Sequence, residues 1–105
     1  SFDKREEGFE KKFALDEAQK FKAEARRNKL LGLWAAEKLG KTGTEADAYA
    51  KEVVASDFEE AGDSDVIRKL AADFSARGVT VSDAEIRAKM GELMAVAAAQ
   101  VKAGQ

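Results

Sequence analysis

Apolar residues along this chain recur at intervals of three and four, and glycines or capping residues interrupt the pattern at regular points. Ala46, Tyr49, Ala50, Val53, Val54 and Phe58 form one such series. Val66, Ile67, Leu70, Ala71 and Phe74 form a second, and Ile86, Met90, Leu93, Met94, Ala97 and Val101 a third. Each series predicts an amphipathic helix with one face to bury. The punctuation sets the boundaries. Gly40-Lys41-Thr42-Gly43 ends a first helical region, and Thr44 with Asp47 resembles a capping box, so a second helix is expected from about Thr44 to Glu60. Gly62 stops it. Asp63 or Ser64 can cap a third helix ending near Arg77, with Gly78 as its left-handed terminator, and Ser82 with Glu85 opens a fourth that lasts to about Ala103.

The first helical region is the longest and least uniform. Leu30 to Ala36 is apolar almost all the way round, as expected of a segment covered by several neighbours, and Gly32 within it permits a close helix crossing. Short connections make sequential helices antiparallel neighbours, so residues 16–105 are expected to form a four-helix bundle.

The first fifteen residues carry a different pattern. Phe9 and Phe13 fall within roughly 20° of Phe2 around a helix axis, one on either side, amid charged side chains. Burying three phenylalanine rings contributes about 5 to 9 kcal/mol. Ordering fifteen residues costs about 15 to 30 kcal/mol of backbone freedom before helix hydrogen bonds offset any of it. Gly8 adds about 1 kcal/mol to that cost relative to alanine. The stripe therefore packs on the bundle or stays mobile until a partner supplies a groove, and periodicity alone leaves the two readings balanced. The bundle's four apolar faces already satisfy one another, so the stripe has no obvious internal partner. Its exposure also makes self-association possible.

Composition agrees with an all-α class: the chain of 105 residues is 45% apolar, rich in alanine and free of proline. Cysteine and histidine are both absent, which excludes disulfides, thiolate metal sites and histidine chemistry. No stretch approaches a membrane span and the charged N-terminus lacks a signal-peptide core, so a soluble cytoplasmic protein is expected. The net charge is -2, with nine Lys/Arg against seven Asp/Glu in residues 1 to 29 and nine against thirteen beyond. That balance argues against nucleic-acid binding.

Three motifs invite chemical readings. Gly40-Lys41-Thr42 matches the end of a phosphate-binding loop, but Ala35 stands where the first glycine belongs and no strand precedes it, so a helix-to-helix turn is expected. The acidic run Asp57, Glu59, Glu60, Asp63, Asp65 lies at a helix junction, where carboxylates cap and favour the next helix dipole; it lacks the spacing of a calcium loop. No catalytic residue or metal ligand is expected. Arg26, Arg27 and Lys29 form a basic cluster with two readings of equal weight: a patch pairing with acidic caps elsewhere, or a docking surface for an acidic partner.

At several of these positions the chain resembles a known family. Phe2-Asp3-Lys4-Arg5-Glu6, Phe9-Glu10-Lys11-Lys12-Phe13-Ala14 and the run from Phe21 to Ala36, with Arg26-Arg27-Asn28-Lys29-Leu30-Leu31-Gly32-Leu33-Trp34 at its heart, closely resemble the ATPase inhibitor zeta subunit of alphaproteobacterial F1Fo-ATP synthases. Asp57-Phe58-Glu59-Glu60 and Ile86-Arg87-Ala88-Lys89-Met90 continue the likeness. The resemblance implies a non-enzymatic regulatory subunit, peripheral to the inner membrane through F1. Its N-terminal segment would enter a catalytic alpha/beta interface, reach towards the gamma shaft, order there as a helix and block rotation in the hydrolysis direction. Within that picture Phe2, Phe9 and Phe13 are the expected anchors. Asp3, Arg5, Glu6, Lys11 and Lys12 are expected to set register, with Arg26 and Arg27 at the docking surface. No cofactor is required; the resemblance also leaves an alternative, a helical sensor module that binds adenine nucleotide, ATP or ADP, through residues the sequence does not identify.

Overall fold

The computed structural model describes residues 15–57 and 63–105, and these form four α-helices: α1, Glu17–Lys38; α2, Gly43–Ser56; α3, Ser64–Ala76; and α4, Asp83–Lys102. The architecture is all-α, as the periodicities predict. The long helix α1 is the centre of the assembly, packed most extensively against α2 and α4, while α3 closes the remaining side with smaller contacts to its two sequence neighbours.

Helix ends follow from local chemistry. Asp16 caps α1 through a reciprocal box: its carboxylate accepts from the Gln19 amide at 2.7 Å, and the Asp16 amide donates to the Gln19 side chain at 3.1 Å. Ser82 caps α4 by accepting from the Glu85 amide at 3.1 Å. Three helices end on a left-handed glycine. At α3, Gly78 has φ of 71°, the Val79 amide donates to the Phe74 carbonyl at 2.8 Å and the Gly78 amide to Ser75 at 3.1 Å, a complete Schellman closure. Gly40 closes α1 in the same way, so Gly40-Lys41-Thr42 is the turn between two helices.

The second helix departs from expectation at both ends. The Thr44–Asp47 box does not form; Gly43 takes φ of 56° and reverses the chain, which makes Thr42 the N-cap position, with its carbonyl accepting from Glu45 and Ala46. At the other end α2 stops at Ser56, short of Glu60. The Ser56 hydroxyl donates to the Val53 carbonyl at 2.7 Å, satisfying one of the terminal acceptors, and the Asp57 carboxylate is held by α1. Phe58, Glu59, Glu60 and Gly62 lie outside the described residues.

One continuous core joins the helices, built on Leu31 and Ala35 of α1 with its C-cap residue Leu39, Tyr49 and Val53 of α2, Val66, Ile67, Leu70 and Phe74 of α3, and Ile86 and Met90 of α4. Trp34 stands edge-on to Phe74, ring centroids 5.9 Å apart at 84°. Gly32 is the point of closest approach. A Cβ there would lie 2.7 Å from the Ala50 Cα and 3.2 Å from the Val53 Cβ, so only hydrogen lets α1 and α2 cross at this depth. Further towards the N-terminus, α1 meets the second half of α4 through small side chains, with Ala23, Ala97 and Ala98 buried.

Candidate functional site

Just before the apolar heart of α1, two polar residues are buried. Arg27 is 6% exposed and Asn28 is fully enclosed. Their location follows from helix geometry: stepping back from Leu31 by four and by three positions along its buried face reaches Arg27 and Asn28. The guanidinium donates from Nε and Nη2 to the Asn28 Oδ1, at 3.1 and 3.0 Å, and from Nη2 to the Asp63 carboxylate at 2.9 Å. The Asn28 amide donates in turn to the Asp57 carboxylate at 2.9 Å. Two adjacent residues of α1 therefore hold both ends of the connection between α2 and α3.

Arg27, expected with Arg26 at a docking surface, is 6% exposed, and its guanidinium bonds to Asp63 and Asn28 within the fold. Of the basic cluster, Lys29 is exposed, and Arg26 is half-buried with Nη1 3.4 Å from the Gln100 side chain on α4. The acidic run divides by task. Asp63 occupies the N-cap position of α3 without a side-chain cap bond, its carboxylate having turned to Arg27. Asp65 is buried in the first turn of α3, with the exposed Arg68 3.7 Å away. There the positive end of the helix dipole favours a carboxylate.

A second polar group lies at the opposite end of the core. The Tyr49 hydroxyl donates to Asp73 at 2.7 Å, and Asp73 also pairs with Lys69 at 3.1 Å. Burial pushes the Tyr49 phenol well above its ordinary range, reinforced by the hydrogen bond to Asp73 and by the negative charges of Asp73 and Glu52. Lys41 and Lys69 stand over its ring at 5.8 and 5.2 Å. With Arg77 they border an open cleft of about 320 Å³.

The residues expected to contact a partner from the N-terminal segment, Phe2, Asp3, Arg5, Glu6, Phe9, Lys11, Lys12 and Phe13, lie outside the described residues. Pattern reading missed Asn28, for which the signal was available: an asparagine in a helix interior, in register with Leu31 and Ala35, is placed to meet neighbouring helices and needs hydrogen-bond partners there.

The fold and its buried polar clamp define a small all-α module organised around α1. The family model for ATPase inhibitor subunit zeta matches residues 1–100, and the chain belongs to that family. It is therefore a regulatory subunit of an ATPase. A search of curated proteins finds no match. Among solved structures, one determined by solution NMR is similar with a TM-score of 0.71 and 59% identity, covering 81% of this chain and 96% of that one.

Proposed function

We propose that this chain inhibits the F1 sector of an ATP synthase by inserting residues 1–15 into a catalytic alpha/beta interface, where they order and obstruct rotation in the hydrolysis direction, while residues 16–105 act as the folded body. The observation that carries the reading is the internal completeness of the body. The apolar faces of α1 to α4 are spent on one another in a single core, while the family match begins at residue 1 and so includes the phenylalanine stripe. A groove offered by F1 meets the ordering cost at the moment of binding. Phe2, Phe9 and Phe13 are the anchors; Asp3, Arg5, Glu6, Lys11 and Lys12 fix register against the alpha, beta and gamma subunits. Arg26 lies on the docking side of the body, whereas Arg27 contributes by holding the body together. The action is steric and uses no cofactor or catalytic group. Among the described residues no helix is long and apolar enough to cross a membrane, and attachment to the membrane would be through F1.

Deleting residues 1–14 should leave a folded body that no longer inhibits ATP hydrolysis by F1 from the same organism; full inhibition by the truncated chain refutes the reading. Replacing Phe9 and Phe13 with alanine should weaken inhibition at least tenfold, about 1.4 kcal/mol, without lowering the melting temperature.

One observation favours a second reading. The cleft bordered by Lys41, Lys69 and Arg77 gathers three cations against the carboxylates of Glu52 and Asp73, so an adenine-nucleotide sensor would bind its phosphates there. Titration calorimetry with ATP and ADP tests it, and absence of heat at millimolar nucleotide removes it.

A further inference from the structure

Between the N-terminal segment and the Arg27 clamp, α1 carries Phe21, 62% exposed and the most exposed large hydrophobic side chain among the described residues. Its ring borders a narrow cleft between α1 and the end of α2. Phe21, Ala25 and Val54 give this cleft apolar walls; Glu24, Asn28 and Asp57 give it polar edges. At about 30 Å³ it takes the end of one side chain and excludes a helix. Its polar capacity is anionic. Asn28 is already engaged on both sides, and Asp57 uses only Oδ2 to accept from it. Among the described residues, neither Asp57 Oδ1 nor the Glu24 carboxylate has a hydrogen bond or an ion pair.

An exposed aromatic face beside two unpaired carboxylates matches one side chain better than any other. A guanidinium stacks flat on an aromatic ring, presents a fork of donors to carboxylates, and sits on an aliphatic stem that an apolar wall can cover. We infer that this cleft receives an arginine of the partner protein. The inference rests on the reading of F1 as that partner, and it adds a second point of contact on the folded body. Continuity supports the assignment. Phe21 lies four residues into α1, about 6 Å along the axis at 1.5 Å per residue, so a protein that grips the segment ahead of α1 is within reach of it. The clamp makes the receiving surface rigid, because Asn28 and Asp57 belong both to the cleft and to the network that ties α2 to α1.

The test uses the full chain and F1 from the same organism. Phe21→Ala and Glu24→Gln should each weaken inhibition about tenfold, and Glu24→Lys more, with unchanged melting temperatures because both side chains are exposed. If the unaltered chain inhibits F1 and all three variants match it, the cleft is no docking site, and insertion by the N-terminal segment stands without it. If the unaltered chain fails to inhibit F1, both readings fall. A photoreactive benzoylphenylalanine at position 21 then identifies what occupies the cleft. Crosslinks beside an arginine on F1 support the assignment, and crosslinks confined to an acidic or wholly apolar surface overturn it.

Discussion

Two stretches of α1, one helical turn apart, solve the problem of burial in opposite ways. From Leu31 to Leu39 the helix packs as hydrocarbon: Leu31, Ala35, Ala36 and Leu39 are buried, and Gly32 removes a side chain altogether so that α2 can approach. At Arg27 and Asn28 the same face buries a charge and an amide, and the polar groups there are held by directed hydrogen bonds. The apolar stretch draws its stability from area and fit, which many similar side chains could supply. The polar stretch is specific about partners, since a buried guanidinium is tolerated only where a carboxylate and further acceptors are already in position. The first stretch holds helices together; the second decides where one particular connection must begin and end.

The contrast can be broken most forcefully on the apolar side. Phe74→Ala should destabilise the fold by about 3 to 5 kcal/mol, because the ring is buried and its loss also strips the edge contact from Trp34. Chemical denaturation followed by circular dichroism measures this. On the polar side, Arg27→Ala should cost about 2 to 3 kcal/mol. It leaves the enclosed Asn28 oxygen without a donor, while the half-exposed Asp63 carboxylate can still be hydrated. If the clamp acts as a unit, combining Arg27→Ala with Asn28→Ala should cost less than the two losses added together.

Alkaline pH probes the second polar group by itself. The Tyr49 phenol holds its proton more tightly folded than unfolded, so its contribution is fully present below the unfolded value near 10 and declines above it. The native state then binds one proton more than the unfolded chain, and stability should fall by as much as about 1.4 kcal/mol per pH unit. Tyr49→Phe should abolish that portion of the slope, and an unchanged slope would show that lysines elsewhere dominate. The smallest expected effect is at the helix crossing. Gly32→Ala gains about 1 kcal/mol of helix propensity but forces the Ala50 backbone back, a strain of about 1 to 3 kcal/mol, for a net loss of about 1 kcal/mol. A stabilised variant would mean that α1 and α2 separate more easily than their close crossing implies.

How much of this was legible in the sequence depended on how local the cause was. Gly40, Gly78 and the Ser82–Glu85 pair announced helix ends because each acts within a few residues, and the apolar series of α2 to α4 named nearly all of the apolar side chains those three helices bury. The Thr44 box failed for an equally local reason that pattern reading overlooked: Gly43, free to adopt a left-handed turn, moved the start of the helix back to Thr42. Arg27 and Asp63 could not be matched in advance, since 36 residues separate them and charged residues are by default assigned to solvent. The cleft at Phe21 was equally hidden, because Val54 and Asp57 reach it from another helix.

Trp34 is the only tryptophan of the chain, wedged between the Phe74 edge and the ammonium groups of Lys38 and Lys89 at 5.4 and 5.9 Å. Its emission therefore reports on the packing of α1, α3 and α4 in a wavelength window where phenylalanine is dark. Excited at 295 nm, the emission of the chain comes from this one indole. This indole thus offers a label-free channel in which unfolding is visible while events at the phenylalanines themselves emit nothing. Loss of fold and loss of inhibition could then be followed separately in one cuvette.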